Sequence, residues 1–114
     1  MATLSRLDPE FRRVLNVFFG VLRDRARGVR WSVTSAFRSS AQQAALYRQL
    51  APKGMAVAPP GRSKHERGRA VDLVFYPSDF APVAGEIWEA LGGKWGGRFS
   101  KYDPVHFEDP WPLD

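Results

Sequence analysis

The residues best suited to chemistry in this sequence lie around its only two histidines, His65 and His106. Asp72 follows the first histidine, and Asp103 and Glu108 flank the second. Catalytic zinc sites use three imidazole or carboxylate ligands and leave a fourth position for water. His65, Asp72 and His106 would complete such a set, and either Asp103 or Glu108 would then be left as a base.

Each of these residues also has an ordinary interpretation. A lone histidine is commonly a surface or hydrogen-bonded residue. Asp72 lies in the apolar run 71–75 and could be an edge-strand aspartate that faces water. Burying an aspartate in such a run is costly unless it is paired or binds a metal. The combination of both histidines with carboxylates and predicted strands favours the metal site, although no two candidate ligands share a short helical spacing.

Length and composition predict a single soluble domain over residues 1–114. Because the chain has no cysteine, disulfides and thiolate metal sites are excluded. No apolar stretch has the length of a signal peptide or a membrane span, so we expect synthesis in the cytoplasm and no stable membrane association. We also expect a monomer. The net charge of +5 permits an anionic partner, but the arginines are scattered, which argues against nucleic acid.

The hydrophobic periodicity predicts an α+β fold in which three helices accompany a small, largely antiparallel sheet, with the site in a cleft beside the sheet. Helices are predicted to start at Asp8, at Ser39 or Ser40, and after Asp79, and to end near Gly28, Leu50 and Gly92. Strands are predicted over 29–37, 69–75 and 105–108, with a tight strand and turn over 94–99. Residues 51–62, rich in proline and glycine, predict a long ordered loop.

Three motifs occur in order between residues 34 and 108. They are Ser35-Ala36-Phe37-Arg38-Ser39 with Gln43-x-x-Leu46-Tyr47, then Ser63-x-His65-x-x-Gly68-x-Ala70-x-Asp72, then Trp95-Gly96-Gly97 with Asp103-x-x-His106-Phe107-Glu108. Together they resemble the motifs of the D-alanyl-D-alanine carboxypeptidase and L-alanyl-D-glutamate endopeptidase family of zinc peptidases. This family includes VanY-like enzymes and phage endolysins. Ala36 departs from the pattern, because glycine is usual at that position.

The resemblance implies the Hedgehog/DD-peptidase-like fold of this family and a Zn²⁺ cofactor. It implies that His65, Asp72 and His106 hold the zinc. It also implies that Asp103 is the general base and acid, which leaves Glu108 as an outer partner of the site or as an alternative base.

The implied substrate is the stem peptide of peptidoglycan. Arg38 is expected to stabilise the oxyanion or bind a substrate carboxylate, and Ser63 is expected to contact the substrate. Carboxypeptidase members typically have glutamate where Asp103 stands, so the chain resembles the endolysin branch that cuts between L-alanine and D-glutamate. We therefore expect a cell-wall endopeptidase that is released through a phage holin. The alternatives are a D,D-carboxypeptidase that releases terminal D-alanine and an inactive, zinc-stabilised wall-binding module.

Overall fold

The protein has three helices and four strands in a computed structural model that describes residues 2–113. Met1 and Asp114, the ends of the predicted domain 1–114, lie outside the described residues. The helices are α1 (Pro9–Arg25), α2 (Ser40–Leu50) and α3 (Ala81–Ala90), and the strands are β1 (Arg30–Ser35), β2 (Ala70–Tyr76), β3 (Lys94–Trp95) and β4 (His106–Glu108). The predicted α+β class is confirmed. Within the described residues, no helix has the length and apolar character needed to cross a bilayer.

The four strands form one sheet in the order β1-β2-β4-β3, and each neighbouring pair is antiparallel. Strand β2 therefore lies inside the sheet, and the interpretation of Asp72 as an edge-strand residue is wrong. The register between β2 and β4 pairs Asp72 with His106 and Val71 with Phe107. Because directly opposite residues point to the same face, this register brings two of the candidate ligands together.

Strand β1 is shorter than the predicted 29–37, because it ends at Ser35. Its register with β2 is irregular between Val33 and Ser35. The next residues bond elsewhere: the Ala36 carbonyl lies 2.7 Å from Nδ1 of His65, and the backbone N–H of Arg38 donates to the His65 carbonyl at 3.0 Å. Beyond Ser35 the chain therefore leaves the sheet, and its backbone groups bond to the segment that carries His65.

The core lies between one face of the sheet and helices α1 and α3. Alternation along β2 buries Val71, Leu73 and Phe75, as the sequence predicted, and Phe107 of β4 is fully buried beside them. Helix α1 contributes a buried stripe at helical spacing: Phe11, Leu15, Phe18 and Leu22. The polar side chains of β2 and β4 are left on the opposite face, where they form the candidate site.

Side-chain caps explain where α1 and α2 begin, whereas the cap predicted for α3 is absent. The Asp8 carboxylate accepts from the backbone N–H of Phe11, as predicted for the start of α1. Of the two possible starts for α2, the chain uses Ser39, which forms a capping box with Gln42. The expected cap by Asp79 is wrong, because a short 3₁₀ turn over Ser78–Phe80 leads directly into α3 without a side-chain cap.

Asp109 fastens the C-terminal segment to the site region through two cations. Its carboxylate accepts from Arg69 Nε at 2.6 Å and from Lys64 Nζ at 2.9 Å. Burial opposes ionisation, but these hydrogen bonds outweigh it and hold the pKa of Asp109 below its usual value. The stabilisation is therefore fully present above the unfolded pKa of about 3.9 and is lost as the pH falls through the lower folded value.

We expect Asp109→Asn to lower the free energy of unfolding by about 1–3 kcal/mol at pH 7, since charge-assisted hydrogen bonds are lost. Urea unfolding of both proteins across a pH series measures this difference. The gap between variant and wild type should begin to narrow below about pH 4, where the carboxyl of the unfolded wild-type chain takes up a proton, and should close as the pH falls through the lower folded pKa. A gap that stays constant down to pH 2 would show that the charge of Asp109 is not involved.

Candidate metal centre

His65 is fixed by the short helical turn that carries it. A 3₁₀ helix spans Lys64–Arg67, and the Ser63 hydroxyl accepts from the backbone N–H of His65 at its start. The turn ends at Gly68, whose φ of 67° favours glycine. A Cβ at Gly68 would also lie 2.7 Å from the backbone nitrogen of Asp8. The turn therefore packs against the start of α1, which holds His65 in place.

The hydrogen bond of His65 decides which ring nitrogen is available to a ligand. A carbonyl oxygen only accepts, so Nδ1 must donate its proton to the Ala36 carbonyl, 2.7 Å away. In the neutral ring, Nε2 then carries the lone pair. Nε2 lies 3.2 Å from Oδ1 of Asp72. Nε2 is therefore the ring nitrogen of His65 that faces the carboxylate side of the site and is available to a ligand.

His106 presents the opposite nitrogen. Its Nε2 lies 2.7 Å from Oε1 of Glu108, a carboxylate that accepts the ring proton. Its Nδ1 lies 3.3 Å from Oδ1 of Asp72, so the same carboxylate oxygen faces both histidines. A carboxylate behind a histidine that fixes its tautomer in this way is a common outer partner in metal sites.

His65, Asp72 and His106 form a group with the geometry of a metal site. One donor atom from each residue lies within 4.8 Å of the other two. His65 and His106 are only 3% and 9% exposed. Nε2 of His65 and Nδ1 of His106 both face Oδ1 of Asp72, so one shared cation could bind all three atoms once it has displaced any proton between them. The donor set therefore fits a divalent metal with nitrogen and oxygen ligands.

The electrostatics of the three groups also suit a cation. Burial disfavours the charged form of Asp72, but hydrogen bonds to His106 and His65 outweigh it and hold the pKa of Asp72 far below its usual value. Burial likewise opposes charge on His106, yet Asp72 and Glu108 raise the pKa of His106 to about 9. Asp72 is thus anionic at neutral pH, and a metal that binds His106 must displace a proton.

Asp103 lies in the cleft in an environment that disfavours its charged form. Burial, together with the nearby charge of Asp72, raises the pKa of Asp103 despite the opposing effects of His106, His65 and Arg38. Among residues 2–113, no hydrogen bond engages its side-chain oxygens. A raised pKa makes it easier for a cleft carboxylate to take up a proton that it later releases.

Gly96 holds the backbone of Asp103 at close range. Its carbonyl accepts from the Asp103 N–H at 3.0 Å. A Cβ on Gly96 would overlap the Asp103 carbonyl oxygen and lie 2.9 Å from Cβ of His106. Only glycine lets the two segments approach in this way, which gives the Trp95-Gly96-Gly97 motif a physical reason.

We expect Gly96→Ala to lower the free energy of unfolding by about 1–3 kcal/mol, because the methyl group forces apart the segments of Asp103 and His106. Gly20→Ala is the matched control, since nothing lies within 4 Å of a Cβ at that position in α1. The control should gain about 0.5–1 kcal/mol from helix propensity. Thermal unfolding of both variants measures this, and equal stabilities would contradict the close packing inferred at Gly96.

Arg38 reaches the same site from the junction between β1 and α2. Its guanidinium donates to the Gln43 amide oxygen at 2.7 Å and to the Ser35 hydroxyl at 2.6 Å. It also lies 3.7 Å from Oδ2 of Asp72. Burial lowers the pKa of Arg38, against the charges of Asp72 and Asp103. An arginine is always protonated under ordinary conditions, so the site gains a fixed positive charge.

A cleft of about 510 Å³ brings the predicted site residues together. Its lining includes all seven: Arg38, Ser63, His65, Asp72, Asp103, His106 and Glu108. Two of these residues, Ser63 and Glu108, also make contacts that support the local structure. Ser63 caps the turn before His65, and Glu108 binds His106 with one oxygen and Lys64 with the other, at 3.2 Å. Glu108 thus has the contacts of an outer partner of His106.

Two further residues of the site, Lys64 and Gln43, were missed by sequence reasoning. Lys64 neutralises Glu108 behind His106, although it stands within the His65 motif. Gln43 was named as part of the first motif without a role at the site, but its side chain is buried and accepts a hydrogen bond from Arg38. Both residues lie inside the motifs, and this position was the one sequence feature that could have indicated a role at the site. Nothing in their residue type marked them.

We expect Glu108→Gln to weaken metal binding by about 10- to 100-fold, the usual effect of losing an outer partner of a ligating histidine. Glutamine can still accept a hydrogen bond from His106 but has no charge for Lys64. Competition with a fluorescent chelator measures the affinity. Glu89→Gln is the control, because Glu89 pairs with Arg98 and is not among the residues that line the cleft. Equal affinities of both variants would contradict the role of Glu108.

Comparisons with known proteins agree with this geometry. A sequence model of the family VanY, D-alanyl-D-alanine carboxypeptidase, matches residues 6–88. Among solved structures, a variant of the vancomycin resistance D,D-pentapeptidase VanY in complex with Zn(II) superposes with a TM-score of 0.69 at 21% identity, covering 95% of this chain and 76% of that one. The Serratia marcescens L-Ala D-Glu endopeptidase ChiX superposes with a TM-score of 0.61 at 27% identity, covering 92% and 81%.

A third similar structure widens the range of activities. The L,D-carboxypeptidase DacB from Streptococcus pneumonia superposes with a TM-score of 0.63 at 18% identity, covering 90% of this chain and 66% of that one. The similar structures thus include carboxypeptidases and an endopeptidase on one fold. The fold alone does not select between these activities.

Proposed function

The chain belongs to the VanY family of D-alanyl-D-alanine carboxypeptidases, and we propose that it is a zinc-dependent peptidoglycan peptidase that cuts the stem peptide between L-alanine and D-glutamate. The observation that carries the proposal is the convergence of three donor atoms within 4.8 Å of one another on His65, Asp72 and His106. Nitrogen and carboxylate donors without thiolates suit zinc. Zn(II) is also the metal bound by the similar VanY structure.

In this proposal, His65, Asp72 and His106 hold the zinc. When bound, zinc supplies Lewis acidity and lowers the pKa of a water that it binds. Asp103 takes the proton from the attacking water and passes it to the leaving amine, a role that its raised pKa supports. Within residues 2–113 the carboxylate makes no side-chain hydrogen bond that would compete with these two proton transfers.

Arg38 has two possible tasks in the same reaction. It can stabilise the negative charge that develops on the scissile carbonyl oxygen, which is typically worth a few kcal/mol per donor. It can also bind a carboxylate on the residue that leaves. Its bonds to Ser35 and Gln43 hold the guanidinium in one orientation, so either task proceeds without reorganisation of the side chain. Ser63, which lines the cleft beside His65, is the proposed additional substrate contact.

The endopeptidase is preferred for two reasons. Aspartate at position 103 follows the endolysin branch of the resemblance, and ChiX, an L-Ala D-Glu endopeptidase, is 27% identical over 92% of the chain. The second candidate is a D,D-carboxypeptidase, favoured by the description of the matching family. Both D-glutamate and terminal D-alanine carry a carboxylate, so Arg38 suits either substrate.

Mass spectrometry of purified peptidoglycan digested with the protein, with and without a zinc chelator, tests the proposal. The proposal predicts chelator-sensitive cleavage that exposes new D-glutamate amino termini. Loss of terminal D-alanine instead would establish the carboxypeptidase. Intact stem peptides, from protein shown to contain zinc, would overturn both and leave a wall-binding module.

A further inference from the structure

Helix α2 buries one residue completely, and this residue is a glutamine. Gln43 is 1% exposed and is the only fully buried residue of the helix. Its aliphatic neighbours Leu46 and Leu50 are only half-buried. Burying an amide is costly unless both of its polar atoms find partners. The side chain therefore has a polar task at a position where an apolar residue would otherwise be expected.

The partners of Gln43 fix its orientation without ambiguity. Its Oε1 accepts from Nη1 of Arg38 at 2.7 Å, and its Nε2 donates to the Ala58 carbonyl at 2.7 Å. A guanidinium only donates and a carbonyl only accepts, so a flipped amide would place like groups against each other. Gln43 thus joins Arg38 to the loop after α2 through two short bonds in a buried location.

The hydrogen bond from Gln43 to the Ala58 carbonyl reaches a loop segment that lines the cleft. Four residues of the loop after α2 line the same cleft as the donors of the metal site: Met55, Ala56, Val57 and Ala58. We call these residues the loop wall. Farther along, the Glu66 carboxylate accepts from the backbone N–H groups of Gly61 and Ser63. Glu66 thus fastens the end of the loop near the metal site, while Gln43 alone fastens the loop wall to α2 by a side-chain hydrogen bond within the described residues.

We propose that Gln43 is a positioning residue that fixes the Arg38 guanidinium and couples it to the loop wall. The proposal rests on the proposed peptidase function, because Arg38 acts there on the substrate. Without Gln43, Arg38 keeps the Ser35 hydroxyl as its hydrogen-bond partner and can turn toward Asp72, 3.7 Å away. The backbone N–H of Met55 still donates to the Leu50 carbonyl at 3.3 Å. The end of the loop wall at Ala58 is therefore the part released, and it then shifts independently of Arg38.

Two substitutions separate the two bonds. Gln43→Met has a similar length but neither polar atom, so it removes both. Gln43→Glu keeps an acceptor for Arg38 but sets a carboxylate oxygen against the Ala58 carbonyl, so it releases only the loop. Gln49→Met is the matched control, because it makes the same chemical change at an exposed position of α2.

Steady-state kinetics on a stem-peptide substrate give the first readout. Gln43→Met should lower kcat by about 10- to 100-fold at unchanged zinc content, since a displaced catalytic group has effects of this size. Gln43→Glu should instead raise KM with a smaller effect on kcat. Gln49→Met should match wild type. A wild-type kcat in Gln43→Met, or a loss of zinc that parallels the loss of kcat, would overturn the proposal.

A second readout does not depend on activity, so it separates this inference from the proposed function. NMR signals of the Arg38 guanidinium, assigned with Arg38→Lys, should be sharp in wild type and in Gln43→Glu but lost in Gln43→Met. Backbone amides near Ala58 should exchange faster in both Gln43 variants. If Gln43→Met does not fold, Gln43→Glu alone tests the coupling. Amide exchange near Ala58 that is as slow in Gln43→Glu as in wild type would overturn it. These results hold even if the wild-type protein cleaves no stem peptide.

Discussion

Asp103→Asn is expected to lower kcat by about 10²–10⁴-fold while zinc content stays at the wild-type level, since this is the usual contribution of a general base. Asparagine matches the shape of aspartate but cannot take up a proton. The residue lies in the cleft beside the metal group without belonging to it. Stem-peptide cleavage followed by mass spectrometry, with zinc measured by atomic absorption on the same samples, tests both parts of the expectation.

Glu108→Gln provides the comparison for this result. Both Glu108 oxygens are engaged, one with His106 at 2.7 Å and one with Lys64 at 3.2 Å, so its loss should act on metal affinity. At saturating zinc, Glu108→Gln should therefore regain most of the wild-type rate, whereas Asp103→Asn should not. A fast Asp103→Asn enzyme, or a Glu108→Gln enzyme that stays slow at saturating zinc, would mean that the base has been assigned to the wrong residue.

His65→Ala is expected to abolish both zinc binding and cleavage. The substitution removes one of three donors, and its effect on affinity should exceed the about 10- to 100-fold loss that follows from removing an outer partner. Zinc that binds only the folded state also stabilises it, by about 4 kcal/mol at a thousand-fold excess over Kd. The rise in Tm on adding zinc to the wild-type protein should therefore disappear in the variant.

His65→Asn controls for the structural bond of this histidine. Nδ1 of His65 donates to the Ala36 carbonyl, so alanine could disturb the fold as well as the metal. Asparagine supplies an N–H donor near Nδ1 but has no atom at the position of Nε2. His65→Asn should fold like wild type and still fail to bind zinc. Wild-type zinc affinity in His65→Asn would exclude Nε2 as a ligand atom.

The residue types in the sequence were enough to nominate the metal group. His65, Asp72 and His106 stand out because imidazoles are scarce in the chain and an aspartate interrupts an apolar run. Strand alternation also predicted the buried face of β2 correctly, since Val71 and Leu73 are both in the core. These predictions depend only on residue type and on the period of a strand, which are local properties.

The relations between distant segments could not be read from the sequence. The pairing of Asp72 with His106 depends on the register of two strands far apart in the chain. The tautomers depend on the Ala36 carbonyl and on Glu108, which only the folded chain brings to the rings. For the same reason β1 ended earlier than predicted, because backbone groups beyond Ser35 bond to the His65 segment and not to the sheet.

The central claim is that zinc held by His65, Asp72 and His106 enables this chain to cut the stem peptide. Titrating zinc into chelator-treated protein, while following the release of new amino termini from peptidoglycan, tests it most directly. We predict no cleavage before zinc is added and a rate that rises linearly until one zinc per chain is bound. Cleavage by the metal-free protein, or zinc that binds without restoring cleavage, would contradict the account.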